Sequence, residues 1–326
     1  MRSISTCSLL SGVLVIAATF YCGCGGPANN DTSKAEHNKK SDKKGSKNSS
    51  GAKEAIKWTD KAHESSGVAY VPGTDQVLFV DDKHSDKIFS ATLDADGNVT
   101  GEPTPVSLGV NVEDPEDITS DGTNYYVVGS QSHPKASGGA GLVRFTYDAA
   151  AKKAGDVESI SGLREVLIKK VPAIAKAGSA KGADDGLNIE GLAWDPNGKR
   201  LLLGLRSPLI DNKAVVIPVT FADGKFDAAS ITFGEPMTVD LEGQAVRTIE
   251  YDDKTSQFLI ISGATTSEKR TDFALWTWDL TGAPKKITML DSKIKPEGVT
   301  RVTRDGEDFL FMVADAGYYQ RLDAGL

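Results

Sequence analysis

No cysteine follows residue 24; Cys7, Cys22 and Cys24 are the three in a chain of 326 residues. A disulfide framework and a thiolate metal site are therefore excluded for the folded part. Histidine is nearly as scarce. His63, His84 and His133 stand at no paired spacing, which argues against a histidine-rich transition-metal centre. Positive charge is not in excess: the net charge of −8 argues against nucleic acid as a partner and suits a protein that binds cations. No Gly-x-Ser-x-Gly elbow supports a serine hydrolase of that class. The loop "SQSHPKASGGAG" (130–141) lacks the strand, lysine and helix of a phosphate loop, and its His133 reads as a solvated loop histidine. Aromatics make up only 7% while glycines number 33, a balance that leans to turn-rich β structure.

The amino-terminal apolar run, "LLSGVLVIAATFY" (9–21), is short for a membrane span. It follows Arg2 and ends in "CGCGG". A small residue before a cysteine at the end of an apolar stretch resembles the lipobox of bacterial lipoproteins. Cys24, after Gly23, fits it better than Cys22, after Phe20 and Tyr21. Residues 1–24 therefore read as a lipoprotein signal peptide with Cys24 as the lipidated residue. Residues 25–55 are mostly lysine, serine, asparagine and glycine, with too little apolar surface to offset the cost of ordering. They read as a polar tether, and "KKSDKK" (39–44) as part of that spacer. The implied place is the cell envelope, with the membrane contacted only through the lipid.

From Ile56 onward a weak repeat emerges: a polar residue, an apolar strand, a turn and a second apolar strand. Five copies start at Ser66, Glu116, Glu190, Arg247 and Glu297. Third strands ("KIFSATLD", "GLVRFTYD", "KAVVIPVT", "FALWTWDL") and fourth strands ("TPVSLG", "ITFGEPMTV", "KKITMLD") follow most of them. Four-stranded antiparallel units that recur about every 50 residues and cannot bury both faces alone stack radially as propeller blades. The expected fold is an all-β propeller over 56–326 with five visible blades, and room for a sixth between Glu116 and Glu190. The last blade lacks one strand, which "AIKWTDK" can supply to close the ring. In the long interval, Leu163, Val166, Leu167, Val171 and Ile174 approach helical spacing with Ser161 as a cap, and Pro172 should break the segment. A short helical insertion is expected near 161–178, as cover for a blade or a lid over the channel. Trp276 and Trp278 read as interblade packing or outer-surface groups.

The stretch "GLNIEGLAWDPNGKRLLLGLRSPL" (186–209) strongly resembles the signature of the DUF3616 family, bacterial domains of unknown function. The repeat pattern extends the resemblance loosely over 56–326. That family is in turn distantly similar to esterase-like phytase propellers, in which a Glu-Gly-Leu motif opens a blade. The resemblance implies a propeller, not an activity.

In an antiparallel hairpin the start of one strand lies opposite the end of the other. Reflection through each turn carries Ser66 to Asp81, Glu116 to Gly129 and Ser130, Glu190 to Leu205 and Arg206, Arg247 to Ser262, and Glu297 to Asp315. If these are the inner strands, the pairs form a ring around one mouth of the channel. The candidate ligand-binding residues are Arg206, Arg247, Glu116, Asp81 and Asp315, with Glu190 and Glu297 as candidate catalytic bases. Carboxylates crowded in a dry channel need protons, arginines or a cation. Glu116, Glu190 and Glu297 are the candidate metal ligands, and hard oxygen donors suit Ca²⁺ or Mg²⁺. Two functions fit: a binding propeller for a small ligand or envelope protein, and a divalent-cation-dependent hydrolase of phosphoesters or esters. Mass spectrometry of the mature amino terminus should find a diacylglycerol-modified Cys24. A product that retains residues 1–23 would contradict the leader reading.

Overall fold

Alternation of side chains along a strand lets one sheet bury both faces, one against each neighbour. The computed structural model describes residues 52–58, 63–133, 139–178, 186–266, 272–304 and 306–325, and these belong to one compact unit, Asn48–Leu326. The leader, Cys24 and nearly all of the tether lie outside the described residues. The described strands form five antiparallel sheets. Blade 1 runs Ser65–Tyr70, Gln76–Asp81, Lys87–Leu93 and Val99–Ser107. Blade 2 runs Pro115–Ser120, Tyr125–Gly129, Ala140–Asp148 and Lys153–Ser161. Blade 3 runs Asn188–Asp195, Arg200–Ile210 and Lys213–Phe221; its outer edge is shared by Ile231–Phe233 and Met237–Val239. The expected fourth strand there is split because Gly234 and Pro236 interrupt it, and proline has no N–H for a ladder. Blade 4 runs Ala245–Asp252, Gln257–Gly263, Phe273–Trp278 and Lys285–Leu290.

Blade 5 has Pro296–Arg304, Glu307–Ala314 and Tyr318–Asp323, and takes its outer strand from the start of the domain, Ile56–Lys57. Ile56 pairs with Tyr319 and Lys57 with Tyr318, and Trp58 N donates to Gly317 O at 3.0 Å. The first strands of neighbouring blades touch all the way round, from blade 1 to blade 5 and back. The protein is thus a five-bladed propeller, and the long interval holds no sixth sheet among the described residues.

The buried apolar side chains follow from this architecture. Leu78 and Val80 face blade 2, where they join Ile118, Val127 and Phe145. Val77 and Phe79, one residue out of phase, face blade 5 and join Phe311 and Val313. Equivalent clusters fill the interfaces between blades 2 and 3, 3 and 4, and 4 and 5. Trp276 and Trp278 belong to the one between blades 3 and 4, so both are interblade packing groups.

The insertion forms helix α1, Leu163–Lys170, followed by a 3₁₀ segment, Pro172–Gly178. The break falls at Pro172, as its sequence requires. The cap is not Ser161: Gly162 holds the N-cap with φ 71° and no side-chain bond. A left-handed residue there is available only cheaply to glycine. Leu163, Leu167, Val171 and Ile174 are buried against Leu142, Ile160, Leu187 and Leu205. The insertion therefore caps the interface of blades 2 and 3.

Trp58 lies between blades 5 and 1, its ring 4.9 Å from both Phe79 and Tyr319. Trp58→Ala should cost about 3–5 kcal/mol of stability in urea denaturation. Deleting residues 52–58 should lower the melting temperature at least as far, because it also opens an edge. A melting temperature unchanged by the deletion would contradict closure through this strand.

Candidate functional site

Every innermost strand has an unpaired residue at one level, and in blade 3 the partner strand has one as well, Arg206 between Leu205 and Ser207. Pro115 pairs with Gly129 and Asp117 with Val128, which leaves Glu116 outside the ladder. The same offset isolates Glu190 between Ile189 and Gly191, Arg247 between Val246 and Thr248, and Glu297 between Pro296 and Gly298. In blade 1 the extra residue falls at Ser66 and Gly67, between the pairs Ser65–Asp81 and Val68–Phe79. A bulge frees a residue from the pleat and re-aims its side chain. Five bulges at one level turn these positions together toward the mouth of the channel.

Glu190, Glu297, Arg206 and Arg247 form one chain of ion pairs across three blades. Arg206 Nη1 lies 2.6 Å from Glu190 Oε1, and Arg247 Nη1 lies 2.5 Å from Glu190 Oε2. Arg247 also forks onto Glu297: Nε donates to Oε2 at 2.7 Å and Nη2 to Oε1. Gly263 makes room for this, since a Cβ there would come within 3.0 Å of Arg247 Cγ. Asn188 Nδ2 adds a bond to Glu190 Oε1 at 3.3 Å, and Arg206 Nε donates to Ala264 O at 3.2 Å. The Glu190 side chain is 3% exposed, so its charge is balanced by both guanidinium groups rather than by water.

Glu116 faces the same mouth, half-buried and without a hydrogen-bond or ion-pair partner among the described residues. Burial, then the charges of Glu190 and Asp114, hold its carboxyl well above the usual carboxylate range. Burial raises Glu297 as well, to about 7, against the pull of Arg247. Burial alone would lower Arg247, but Glu190 and Glu297 outweigh it and raise the guanidinium above its ordinary value.

Five of the seven residues expected in the ring therefore converge: Glu116, Glu190, Glu297, Arg206 and Arg247. Asp315 sits at the edge, 28% exposed, and pairs with Lys295 Nζ at 2.6 Å. Asp81 does not belong. It is fully buried, accepts from Lys83 N at 3.1 Å, and lies 2.7 Å from His63 Nδ1. Its carboxyl is pushed up by burial but held below the usual range overall, chiefly by His63. The reason is register. Ser65, not Ser66, pairs with Asp81, and one step along a strand reverses the face. The residue equivalent to Arg206 and Asp315 is Asp82. Burial, then Glu64, Asp81, Asp315 and Asp114, raise it to about 7. The reflection from Ser66 overlooked this one-residue step.

The residues expected to hold a metal are engaged otherwise in this structure. Among the described residues no group of three or more histidine or acidic side chains is spaced to hold a metal ion. Guanidinium groups take the carboxylate oxygens of Glu190 and Glu297 that a cation would need, so these residues do not fit a metal as they stand.

One layer below, the equivalent residues are Gly67, Asp117, Gly191, Thr248 and Gly298. Asp117 fills that layer. Its Oδ2 accepts from Leu192 N at 2.8 Å and Thr248 Oγ1 at 2.9 Å, on blades 3 and 4. A Cβ at Gly67 would lie 2.3 Å from its Oδ1. Burial raises this carboxyl well above its ordinary value. With Asp117 across the axis beneath it, the ring is the floor of this mouth, the cup. The hollows lined by Asp94, Arg304, Glu307 and Phe309 (about 140 Å³) and by Tyr70, Thr74, Thr303 and Arg304 (about 400 Å³) lie at the hairpin end of blades 1 and 5, away from this cup.

The model of the family described as "Protein of unknown function (DUF3616)" matches residues 147–323. No curated protein matches. Among solved structures, similar chains include one assigned as a gluconolactonase, with 13% identity over 84% of this chain and 93% of that one, TM-score 0.47. The apo soluble aldose sugar dehydrogenase of Escherichia coli has 11% identity over 83% and 99%, TM-score 0.47. The pyranose dehydrogenase PQQ domain of Coprinopsis cinerea, in its holo form, has 10% over 82% and 95%, TM-score 0.45. None of these activities transfers at such distances.

The raised carboxyls set a sign for stability against pH. A carboxyl raised on folding contributes stability below its unfolded value that is lost as pH rises through its folded value. The ring should therefore destabilise the fold progressively from pH about 4.5, the ordinary carboxylate value, through about 7 and above. Glu116→Gln keeps the shape and removes one of these protons. In urea denaturation it should flatten the fall and stabilise the protein by about 1 kcal/mol or more at pH 8. A variant less stable than wild type at every pH would contradict this.

Proposed function

The chain belongs to the DUF3616 family of proteins of unknown function, and from that premise we propose that its propeller is a binding module that takes a small polar ligand into the cup at the ring. The observation that carries this is the set of five bulges, which aim polar residues of every blade at one mouth. A structural role alone needs no such arrangement, since the apolar clusters between blades already hold their spacing. Rigid, paired guanidinium groups over a closed floor are pre-organised to recognise polar groups without further ordering cost. The leader and tether would hang this cup from an envelope membrane.

The second reading is ester or phosphoester hydrolysis. It draws support from Glu116, whose raised carboxyl suits a general acid near neutral pH. The bases expected at Glu190 and Glu297 serve it less well, because each is held by arginine.

A thermal-shift screen of small sugars, amino acids, amines and carboxylic acids separates these readings. The binding module predicts compounds that raise the melting temperature of wild type without being consumed, with affinity reduced about tenfold or more in Arg206→Met. Hits that survive Arg206→Met would contradict a site at the ring. Turnover of p-nitrophenyl acetate or phosphate that is lost in Glu116→Gln would replace binding by hydrolysis.

A further inference from the structure

The cup is not electrostatically uniform, and its asymmetry follows the blades. On the side of blades 3 to 5 the charges match one for one. Arg206 and Arg247 face Glu190 and Glu297, and Lys295 faces Asp315. On the side of blades 1 and 2 the equivalent positions hold Glu64, Asp82, Asp114 and Glu116. Glu64 pairs outward with the exposed Lys83 at 2.5 Å, and Asp114 accepts from Ser130 Oγ at 2.6 Å. Neither Asp82 nor Glu116 has an ion-pair partner among the described residues, although the charge of Arg247 reaches Glu116 from across the ring. Asp82 Oδ1 is buried and makes no hydrogen bond among the described residues.

A separate observation comes from blade 3. Asn188 is 5% exposed, and its Oδ1 is buried with no hydrogen-bond partner among the described residues. Its Nδ2 rests on Glu190, and the adjacent Ile189 N donates to Ser130 O at 2.8 Å. The amide thus stands at the seam of blades 2 and 3, on the Glu190 whose charge reaches Glu116, and offers an acceptor that lacks a donor among the described residues. An orphaned buried acceptor costs about 1–3 kcal/mol, so a group that supplies N–H bonds there is favoured.

We infer that Asp82, Glu116 and Asn188 form a subsite for the ammonium group of an organic amine. An ammonium supplies what the sector lacks: positive charge for two carboxylates and several N–H donors, one of them for Asn188 Oδ1. A bare divalent cation fits less well, since no described group of three acidic or histidine side chains is spaced to ligate one. The paired sector opposite then meets the neutral, hydrogen-bonding part of the same molecule. This deepens the binding reading above and rests on it.

Isothermal titration calorimetry of the full chain, with putrescine and glucosamine set against 1,4-butanediol and glucose, tests the subsite. Each amine should bind at least about tenfold tighter than its neutral match, which is about 1.4 kcal/mol. The double variant Asp82→Asn/Glu116→Gln should lose that preference. It relieves like-charge repulsion, so it should fold at least as well as wild type. Asp227→Asn, at an exposed turn of blade 3, should leave the preference intact. Neutral matches that bind as tightly as the amines would overturn the ammonium subsite and leave the cup a binding site. No binding of either amine up to roughly 10 mM, well past ordinary weak affinities, would overturn the subsite itself. So would Ca²⁺ bound at the same two carboxylates in preference to both amines.

Discussion

One guanidinium ties the site together. Arg247 comes from blade 4 and holds a carboxylate of blade 3 and a carboxylate of blade 5 at once. Arg206 completes the charge of Glu190 from within blade 3. Because all four groups are nearly out of water, no member can leave without stranding another, which costs several kcal/mol. This chain fixes the angular spacing of three blades at the mouth. It also consumes every arginine of the ring, and so leaves Glu116 and Asp82 to be satisfied by protons or by a ligand.

The ring exists only because the inner strands are irregular. A strand with a regular pleat would send these side chains into the sheets on either side, where the apolar clusters lie. The extra residue in each blade breaks the alternation at one level and resumes it below, so the apolar phase of Val68, Ile118, Leu192, Ile249 and Val299 is kept. Directly beneath, three glycines and Thr248 leave space at the axis for one carboxylate, that of Asp117, which bonds to two other blades. A second cross-blade tie stands toward the other end, where Arg301 of blade 5 makes a bidentate pair with Asp252 of blade 4 at 2.6 and 2.7 Å. Polar groups thus hold the axis, and apolar groups hold the spokes.

Most of the architecture was legible in the sequence because each blade repeats a strand, turn, strand unit whose apolar residues must all be buried. The closing strand was legible from the missing fourth strand of the last blade. Glu116, Glu190, Glu297, Arg206 and Arg247 were legible from hairpin reflection, which needs only the position of each turn. Asp82 was missed because reflection is good to about one residue, and in a strand one residue is the difference between two faces. Asp117 had a signal in its adjacency to Glu116, but its role depends on glycines in other blades. That guanidinium groups hold the oxygens of Glu190 and Glu297 was not legible, because pairing across blades depends on side-chain reach that spacing does not encode. Gly162 as the helix cap depends on a left-handed backbone that the helical pattern does not reveal.

The central claim is that Arg247 couples neighbouring blades through the ring. A double-mutant cycle of Arg247→Met and Glu297→Gln, measured by urea denaturation at pH 8, tests it most directly. The account predicts a coupling of about 1.5 kcal/mol or more, with the double variant less destabilised than the sum of the two single variants. Additive effects, with a coupling indistinguishable from zero, would show that the two side chains do not act on each other and would contradict the account.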